Sequence, residues 1–278
     1  MKIKRILTIF SGIIVVFAFA FVANAATSIV YPGNENGWVF VDDNDNSVGS
    51  GTFVSGPATP PLGNGSARLF ANVSSDREML VLPQYQGTKL SDITKLEYST
   101  YRVSGGPALA IALQFNIDTD LTDANTSWQS RLVYEPYYTH TVNTGVWQTW
   151  NTQDDSGTGN WWFAGAPQNA VCGIGNPCTW SELKAAFPNA GIHSTLGAIL
   201  FKAGGGWTGF DGNVDAFTIG VNNVDNTYDF ESSAPTPTPT PIVGPPTSKD
   251  ECKKDGWKTF NNPTFKNQGQ CVSYTNHN

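Results

Sequence analysis

The fold is decided by residues 108–117, which read ALAIALQFNI. Apolar side chains at every second position, from Leu109 to Ile117, alternate with alanine, glutamine and asparagine. A period of two residues places the two sets on opposite faces of an extended strand. We therefore predict a strand whose leucine, isoleucine and phenylalanine side chains face a hydrophobic core.

Strand patterns of the same kind recur on both sides of this stretch, between turns rich in Gly, Asn, Asp and Pro. They predict ten further strands, at residues 37–41, 51–54, 67–73, 78–82, 95–103, 128–135, 146–151, 195–203, 214–221 and 227–231. One short helix is predicted after Thr179, because Thr179 and Glu182 form a capping box and Pro188 ends the run. The number and spacing of the strands indicate an all-β fold, a two-sheet β-sandwich of the jelly-roll type.

The N-terminus indicates export. Three basic residues precede an apolar run at 6–23, which leads into Ala-Asn-Ala at 23–25. This order predicts a signal peptide at 1–25, cleaved before Ala26. An uncleaved anchor is the alternative, because about 18 apolar residues can just cross a bilayer. No later apolar run is long enough for a membrane span, so we expect a secreted, extracellular protein, free or associated with the cell surface.

Composition divides the rest of the chain into three parts. Residues 26–232 form the predicted sandwich, 233–247 a linker rich in Pro and Thr, and 248–278 a small tail. The cysteines fall into two local pairs, Cys172 with Cys178 and Cys252 with Cys271. In an exported chain such pairs predict disulfides, with zinc binding as the alternative.

The charge of the body excludes two classes of partner. Residues 26–234 carry 8 basic and 20 acidic side chains, a net charge of −12. Such a surface repels phosphate backbones and anionic lipid, so we expect neither nucleic-acid binding nor attachment to a membrane surface. Neutral glycans, divalent cations or simple solubility outside the cell are compatible with it.

Sequence signatures of catalysis are absent. The chain has no G-x-S-x-G, H-E-x-x-H, Walker A or Rossmann pattern, and its three histidines lie in no recognisable setting. Glycoside hydrolysis needs two carboxyl groups close together. Glu97 and Glu135 each stand alone in a predicted strand, which disfavours a glycosidase. Carboxylates brought together from distant strands are the alternative.

Aromatic residues are the candidates for ligand binding. Sugar-binding sandwiches use exposed rings as stacking platforms, and several rings of this chain fall in predicted loops or at strand ends. We predict a ligand site among Tyr137, Tyr138, Trp161, Trp162 and Trp207. The alternative for each ring is core packing, because tryptophan is highly buried on average.

Two loops dense in carboxylates are candidates for a structural calcium ion, and no other cofactor is expected. Calcium takes six to eight oxygen ligands, which both loops could help to supply. The candidate ligands are Asp42, Asp43 and Asp45 in the first loop and Asp118, Asp120 and Asp123 in the second. Neither loop matches an EF-hand, and Asp and Asn are also ordinary turn formers.

Two stretches carry resemblances to known groups of proteins. VWQTWN at 146–151, GFDGNVDAFTIG at 209–220 and YDFE at 228–231 resemble the late strands of carbohydrate-binding modules and other concanavalin- or galactose-binding-like jelly rolls. The tail, with its CKKDGW and FKNQGQCVSY segments, resembles a short element at the C-terminus of many bacterial secreted proteins. The first resemblance implies a jelly roll, and the second implies no activity.

Three functions follow as hypotheses. The first is a non-catalytic module that binds carbohydrate or another extracellular polymer, such as a polysaccharide or a cell-envelope component, through loop aromatics. The second is a structural or adhesive surface protein with no small ligand, and the third is a glycan-active hydrolase. The tail has five lysines against three acids, and its position and charge suggest a docking or surface-attachment role.

Overall fold

The computed structural model describes residues 25–235 and 244–276. Apart from Ala25, the predicted signal peptide lies outside the described residues, and so does the middle of the predicted linker. The chain divides into two compact units, Met1–Ala234 and Pro235–Asn278, and each is described by itself. Within the described ranges, no helix is long and apolar enough to cross a membrane.

The first unit is built from two sheets of seven strands each within its described residues, numbered here in chain order. The strands of the first sheet are β1 Ala26–Val30, β3 Thr52–Ser55, β4 Gly65–Ala71, β6 Ile93–Ser104, β9 Trp147–Asn151, β13 Phe210–Val221 and β14 Val224–Phe230. Those of the second sheet are β2 Val39–Asp42, β5 Arg77–Leu82, β7 Ala112–Asp118, β8 Ser130–Tyr134, β10 Trp161–Phe163, β11 Gly191–Ile192 and β12 Ile199–Gly204. Among the described residues the α-helices are α1 Trp180–Ala186 and α2 Gln268–Thr275.

The strand order confirms the predicted all-β sandwich. In the first sheet the order is β1-β14-β13-β4-β3, with β6 beside β13 and β9 beside β6. In the second it is β10-β8-β7-β12-β5-β2, with β11 beside β7. Pairing is antiparallel except between β1 and β14. Strands distant in sequence are therefore neighbours, and this order decides which side chains meet on each face.

The hydrophobic core lies between the two sheets. Leu113, Phe115 and Ile117 of the quoted stretch are fully buried, as the alternation predicts. Trp38 is also fully buried, and its ring lies 5.7 Å from that of Phe201, centroid to centroid. Large apolar side chains of this kind, removed from water on both sheets, supply the main stabilisation of the fold.

All eleven predicted strands overlap observed ones, and the differences have physical causes. In the quoted stretch pairing begins at Ala112, the first residue of β7, which lies opposite Lys202 of β12. Residues 108–111 alternate in sequence but lie outside any strand. The three unpredicted strands β1, β10 and β11 have five, three and two residues, and β10 and β11 are too short for a period to appear.

The predicted helix and the first predicted disulfide form adjacent to each other. Thr179 caps α1, accepting from Glu182 N at 3.2 Å, while Glu182 Oε2 accepts from Thr179 N at 2.9 Å. This confirms the capping box. The bond between Cys172 and Cys178 closes the loop immediately before the cap.

The second unit is stapled by its own disulfide, between Cys252 and Cys271. Both sulfur-bearing residues are fully buried and share a small cluster with Phe260. Trp257 and Phe265 pack against this cluster. A unit with so few apolar residues depends on its covalent link, as small domains generally do.

Candidate ligand-binding site

A groove of about 580 Å³ lies on the outer face of the second sheet. Alternate residues of β7, β8 and β12 point away from the core, and their side chains form its floor. Strand register places Gln114 of β7 beside Val133 of β8, and Ala112 beside Lys202 of β12. Loops at the same end of these strands form the walls.

Three aromatic side chains line the groove. Trp162 comes from β10, Tyr137 from the turn after β8, and Trp207 from the loop between β12 and β13. Tyr137 stacks on Tyr138 with 4.3 Å between ring centroids, and Trp207 meets Phe210 edge-on at 4.8 Å. These contacts hold the rings while Trp162, Tyr137 and Trp207 stay partly exposed. Fixed, partly exposed rings are suited to stacking on a ligand.

Glu135 brings a carboxyl group to the groove. It directly follows β8, and the alternation along β8 points it outward together with Val133. Trp162 Nε1 donates a hydrogen bond to Glu135 Oε2 at 3.1 Å. Burial raises the pKa of Glu135 to about 7, although hydrogen bonds from Trp162 and Tyr137 favour the ionised form. Near neutral pH this carboxyl can therefore either donate or accept a hydrogen bond.

Asp43 lies over the same face of the sheet, between two cations. Arg131 of β8 donates two hydrogen bonds to it, at 2.6 and 2.7 Å, and Lys202 of β12 forms a further ion pair. Burial alone would raise the pKa of Asp43, but the two cations outweigh it and the pKa lies below its ordinary value. The charge of Lys202 in the groove is thereby compensated. Arg77, which donates to the Asn44 side chain, adds a second cation to the lining.

Trp161 and Trp162 have opposite roles in the structure. Neighbouring residues of a strand point to opposite faces. Trp162 reaches the groove, whereas Trp161 lies in the core, 1 % exposed, with Nε1 donating to the Thr152 carbonyl oxygen at 2.8 Å. The structure therefore brings one ring of this pair to the groove.

Tyr138 supports the groove without lining it. Its ring stacks on that of Tyr137, and its hydroxyl donates to the carbonyl oxygen of Ile174 at 2.7 Å. Ile174 belongs to the disulfide-closed loop and does line the groove. Of the five predicted aromatic residues, three line the groove, one supports its wall and one packs in the core.

The carboxylates of the two predicted calcium loops are engaged within the protein. Asp43 forms ion pairs with Arg131 and Lys202. Each of the other five accepts a hydrogen bond from the backbone N–H two residues later: Asp42, Asp45, Asp118, Asp120 and Asp123. This is the pattern of Asx turns. Among the described residues, no three His, Cys, Asp or Glu side chains lie together as metal ligands.

A different set of carboxylates meets on the first sheet. Asp229 of β14 is 8 % exposed, and its buried Oδ1 has no hydrogen-bond partner among the described residues. Glu231 accepts from Asn64 N at 2.7 Å. A Cβ at Gly63 would clash with Glu231 and lie 3.1 Å from Asp229 Oδ1, so both carboxylates face this backbone. Burial, together with the charge of Glu231, raises the pKa of Asp229 to about 6.

Sequence reasoning missed Gln114 and Glu135 as groove residues. Both obey the alternation that predicts their strands, and that alternation was the available signal: each occupies an outward position. Their meeting point depends on the strand order β10-β8-β7-β12, which no local pattern contains. The carboxylates near Gly63 were missed for the same reason.

Comparison with known proteins gives distant likenesses only. No protein-family model and no curated protein matches the chain. Two solved structures of family 11 carbohydrate-binding modules from Clostridium thermocellum are similar. One is in complex with a β-1,3-1,4-mixed-linked tetrasaccharide, with 10% identity, a TM-score of 0.36, and 71% of this chain and 91% of that chain covered. The other belongs to a cellulosomal cellulase, with 9% identity, a TM-score of 0.35, and coverage of 72% and 91%.

A cleaved adhesin domain of Lys-gingipain from Porphyromonas gingivalis is also similar. It has 10% identity and a TM-score of 0.27, with 67% of this chain and 91% of that chain covered. These values do not assign the chain to a family.

Proposed function

We propose that the sandwich is a non-catalytic extracellular module that binds carbohydrate in the groove of the second sheet. The observation that carries the proposal is the composition of the groove lining. Its aromatic rings can stack on the apolar C–H face of a sugar, beside hydrogen-bonding groups of Gln114, Glu135 and Arg77. An apolar platform with a few placed polar groups is the usual design of a small-molecule site.

The ligand class that fits best is an extended, linear polysaccharide. The lining takes residues from β10, β8, β7, β12 and β5, which are consecutive in the sheet. Neighbouring strands lie about 4.8 Å apart, so five strands span about 19 Å. That length accommodates several sugar rings of an extended chain, such as a β-1,4-linked glucan.

Two functions from other classes have less support. A structural or adhesive protein with no small ligand would not need partly exposed rings around a groove. A glycosidase needs a second carboxyl group about 5 to 10 Å from the first. Among the groove residues, all within the described part of the chain, Glu135 is the sole carboxylic acid.

An extracellular location is supported by the two disulfides, which form and persist in oxidising compartments. The predicted signal peptide agrees with this location. For the tail we retain docking to a cell-envelope component as the proposed role, on the basis of its excess of lysine over acidic residues.

A structural calcium ion is proposed at Asp229 and Glu231 on the first sheet. Within the described part of the chain the buried Asp229 Oδ1 has no hydrogen-bond partner, and the Glu231 carboxylate faces the same Gly63 backbone. A divalent cation would neutralise both groups and give that oxygen a contact. Backbone carbonyls and water would complete the six to eight oxygen ligands that calcium takes. The ion would have no part in the groove, which lies on the other sheet.

Affinity electrophoresis of the full chain in gels containing soluble polysaccharides tests the groove. We expect retardation by at least one linear polysaccharide. The variant Trp207→Ala should lose about tenfold or more in affinity, because aromatic side chains that become buried on binding dominate binding energies. Trp128→Ala is the matched control: Trp128 is 51 % exposed and lies before β8, at the opposite end from Glu135.

Two outcomes would contradict the proposal. One is free migration of the wild-type chain in every polysaccharide. The other is retardation that Trp207→Ala and Trp128→Ala change to the same extent, which would place the bound polymer outside the groove.

A further inference from the structure

We propose that the groove continues past Trp162 into a second hollow, and that the loop closed by Cys172 and Cys178 forms an end subsite there for one terminal part of a β-1,4-linked glucan chain. This proposal rests on the carbohydrate-binding function proposed above. The second hollow, called here the end hollow, has a volume of about 310 Å³. Trp162 and Ile174 line both the groove and the end hollow, so the two are adjacent.

The side chains of the end hollow have the chemistry of a sugar subsite. Asn169 and Asn176 are exposed there and offer amide donors and acceptors. Asn176 Nδ2 makes one long contact, 3.4 Å, to the Val171 carbonyl oxygen. Ile174 lies on a short polar loop and has no part in the core. Its apolar side chain is 60 % exposed. An apolar surface flanked by two amides matches the mixed apolar and polar faces of a sugar ring.

The loop is held as a fixed wall. The disulfide closes it, and Phe163 N donates to the carbonyl oxygen of Cys172 at 2.8 Å. Tyr138 adds a third restraint through its hydroxyl bond to the Ile174 carbonyl oxygen, 2.7 Å. A wall that is ordered before the ligand arrives loses less conformational freedom on binding. Tyr138 therefore acts as a positioning residue: it orients the end subsite and does not touch the sugar.

A linear chain lying across the sheet would leave the groove at β10, because β10 is the edge strand on that side. The end hollow lies beyond that edge strand and is lined by residues 162–164 and by the loop that follows. A short oligosaccharide would fill the groove alone, and a longer one would reach Asn169 and Asn176 as well. Affinity should then rise again at the chain length that first fills the end hollow.

Isothermal titration calorimetry with cello-oligosaccharides, from cellobiose to cellohexaose, tests this subsite on the full chain. We expect the double variant Asn169→Ala/Asn176→Ala to bind the short oligosaccharides as the wild type does. It should bind the longest ones about fivefold more weakly, since each lost hydrogen bond to a neutral group has a modest effect. Tyr138→Phe, which removes only the hydroxyl, should show part of the same length-dependent loss. Asn125→Ala is the control, an exposed amide in the loop between β7 and β8, away from the groove.

The outcomes separate this inference from the proposed function. Wild-type affinity that reaches its limit with the short oligosaccharides, or an equal loss at every length in the double variant, would overturn the end subsite. The end subsite would also be overturned if some polysaccharide retards the protein but the protein binds none of the cello-oligosaccharides. A chain that no polysaccharide retards would contradict the proposed function itself.

Discussion

The polar side chains on the outer faces of the two sheets make different contacts. On the first sheet, hydroxyl groups pair across strands: Ser99 and Thr149 are 2.8 Å apart, oxygen to oxygen. Its aromatic rings also pair, since Tyr101 contacts Trp147 with 5.6 Å between ring centroids. Trp147 further donates to the Pro57 carbonyl oxygen at 2.9 Å. Groups that satisfy each other in this way leave little for a ligand.

On the second sheet the corresponding groups converge on a groove. Trp162, Tyr137 and Trp207 come from three separate segments and face a common space. Glu135 donates or accepts there according to its protonation, and Gln114 lies in the floor. The same β pattern thus gives a closed patch around Ser99 and Thr149 on the first sheet and a receptive groove on the second. What differs is whether the outward side chains contact each other or a shared cavity.

The largest predicted effect concerns the ion pairs of the two faces. Asp43→Ala would leave Arg131 and Lys202 without their anion. Their charges would then be unpaired and largely buried, because these side chains are only 18 % and 15 % exposed. Removing one member of a buried ionic group is strongly destabilising, so we expect a loss of about 3 kcal/mol in the free energy of unfolding. Urea denaturation followed by tryptophan fluorescence measures it.

Its counterpart on the first sheet is the pair of Arg68 and Asp211, 2.8 Å apart, in which the Arg68 side chain is 41 % exposed. Arg68→Ala should cost at most about 1 kcal/mol, because solvent screens exposed pairs. Equal losses for Asp43→Ala and Arg68→Ala would show that the two faces do not differ in this respect.

The second prediction concerns Glu135 and pH. Its pKa is raised from 4.5 to about 7 in the folded protein, so the folded state keeps the proton where the unfolded state releases it. The resulting stability is present below about pH 4.5 and is lost as the pH rises through 7. Gln in place of Glu135 cannot titrate. The free energy of unfolding of Glu135→Gln, relative to wild type, should therefore rise by about 2 kcal/mol over this range.

Urea denaturation at a series of pH values measures that difference. Other carboxyl groups titrate in both proteins and cancel. A difference that stays flat between pH 4.5 and 7 would mean that Glu135 is as well solvated as an ordinary surface carboxylate. The groove would then hold an ordinary ionised carboxylate near neutral pH, and not a carboxyl that can also donate a hydrogen bond.

The strands and the aromatic rings of the groove could be predicted from sequence because both are local signals. Alternation marks a strand wherever it is long enough, as in β7, and Trp162 and Trp207 could be chosen for their position near turns. The role of Trp161 could not be distinguished from that of Trp162. Three residues are too few to show which positions of β10 face the core. Glu135 could not be joined to these rings without the strand order.

The acidic residues show a second limit of sequence reasoning. An Asx turn needs one Asp or Asn that accepts from the backbone two residues later, and a calcium loop places several such residues at alternate positions. Asp118 and Asp120 therefore fit either interpretation. In the structure their carboxylates accept from the backbone of their own loop. Asp229 and Glu231 gave no signal, because what makes them unusual is the approach of the distant Gly63 backbone.

The third prediction compares these two sets of carboxylates. Calcium at tenfold its dissociation constant should stabilise the chain by about 1.4 kcal/mol, which appears as a rise in Tm reversed by a chelator. Asp229→Asn should abolish the rise, because it removes a proposed ligand on the first sheet. Asp123→Asn, the matched change in a predicted loop, should leave the rise intact. If Asp123→Asn abolishes the rise and Asp229→Asn does not, the calcium ion binds in the loop between β7 and β8.

The smallest predicted effect tests the closed patch around Ser99 and Thr149. Ser99→Ala removes one hydroxyl of the cross-strand pair with Thr149, whose side chain stays in reach of water. Such pairs contribute a few tenths of a kcal/mol, so the free energy of unfolding should fall by about 0.5 kcal/mol. Retardation by polysaccharide should not change, because the pair serves the sheet and not a ligand. If Ser99→Ala weakens retardation as Trp207→Ala does, the polymer contacts both faces, and the difference drawn between the two sheets does not hold.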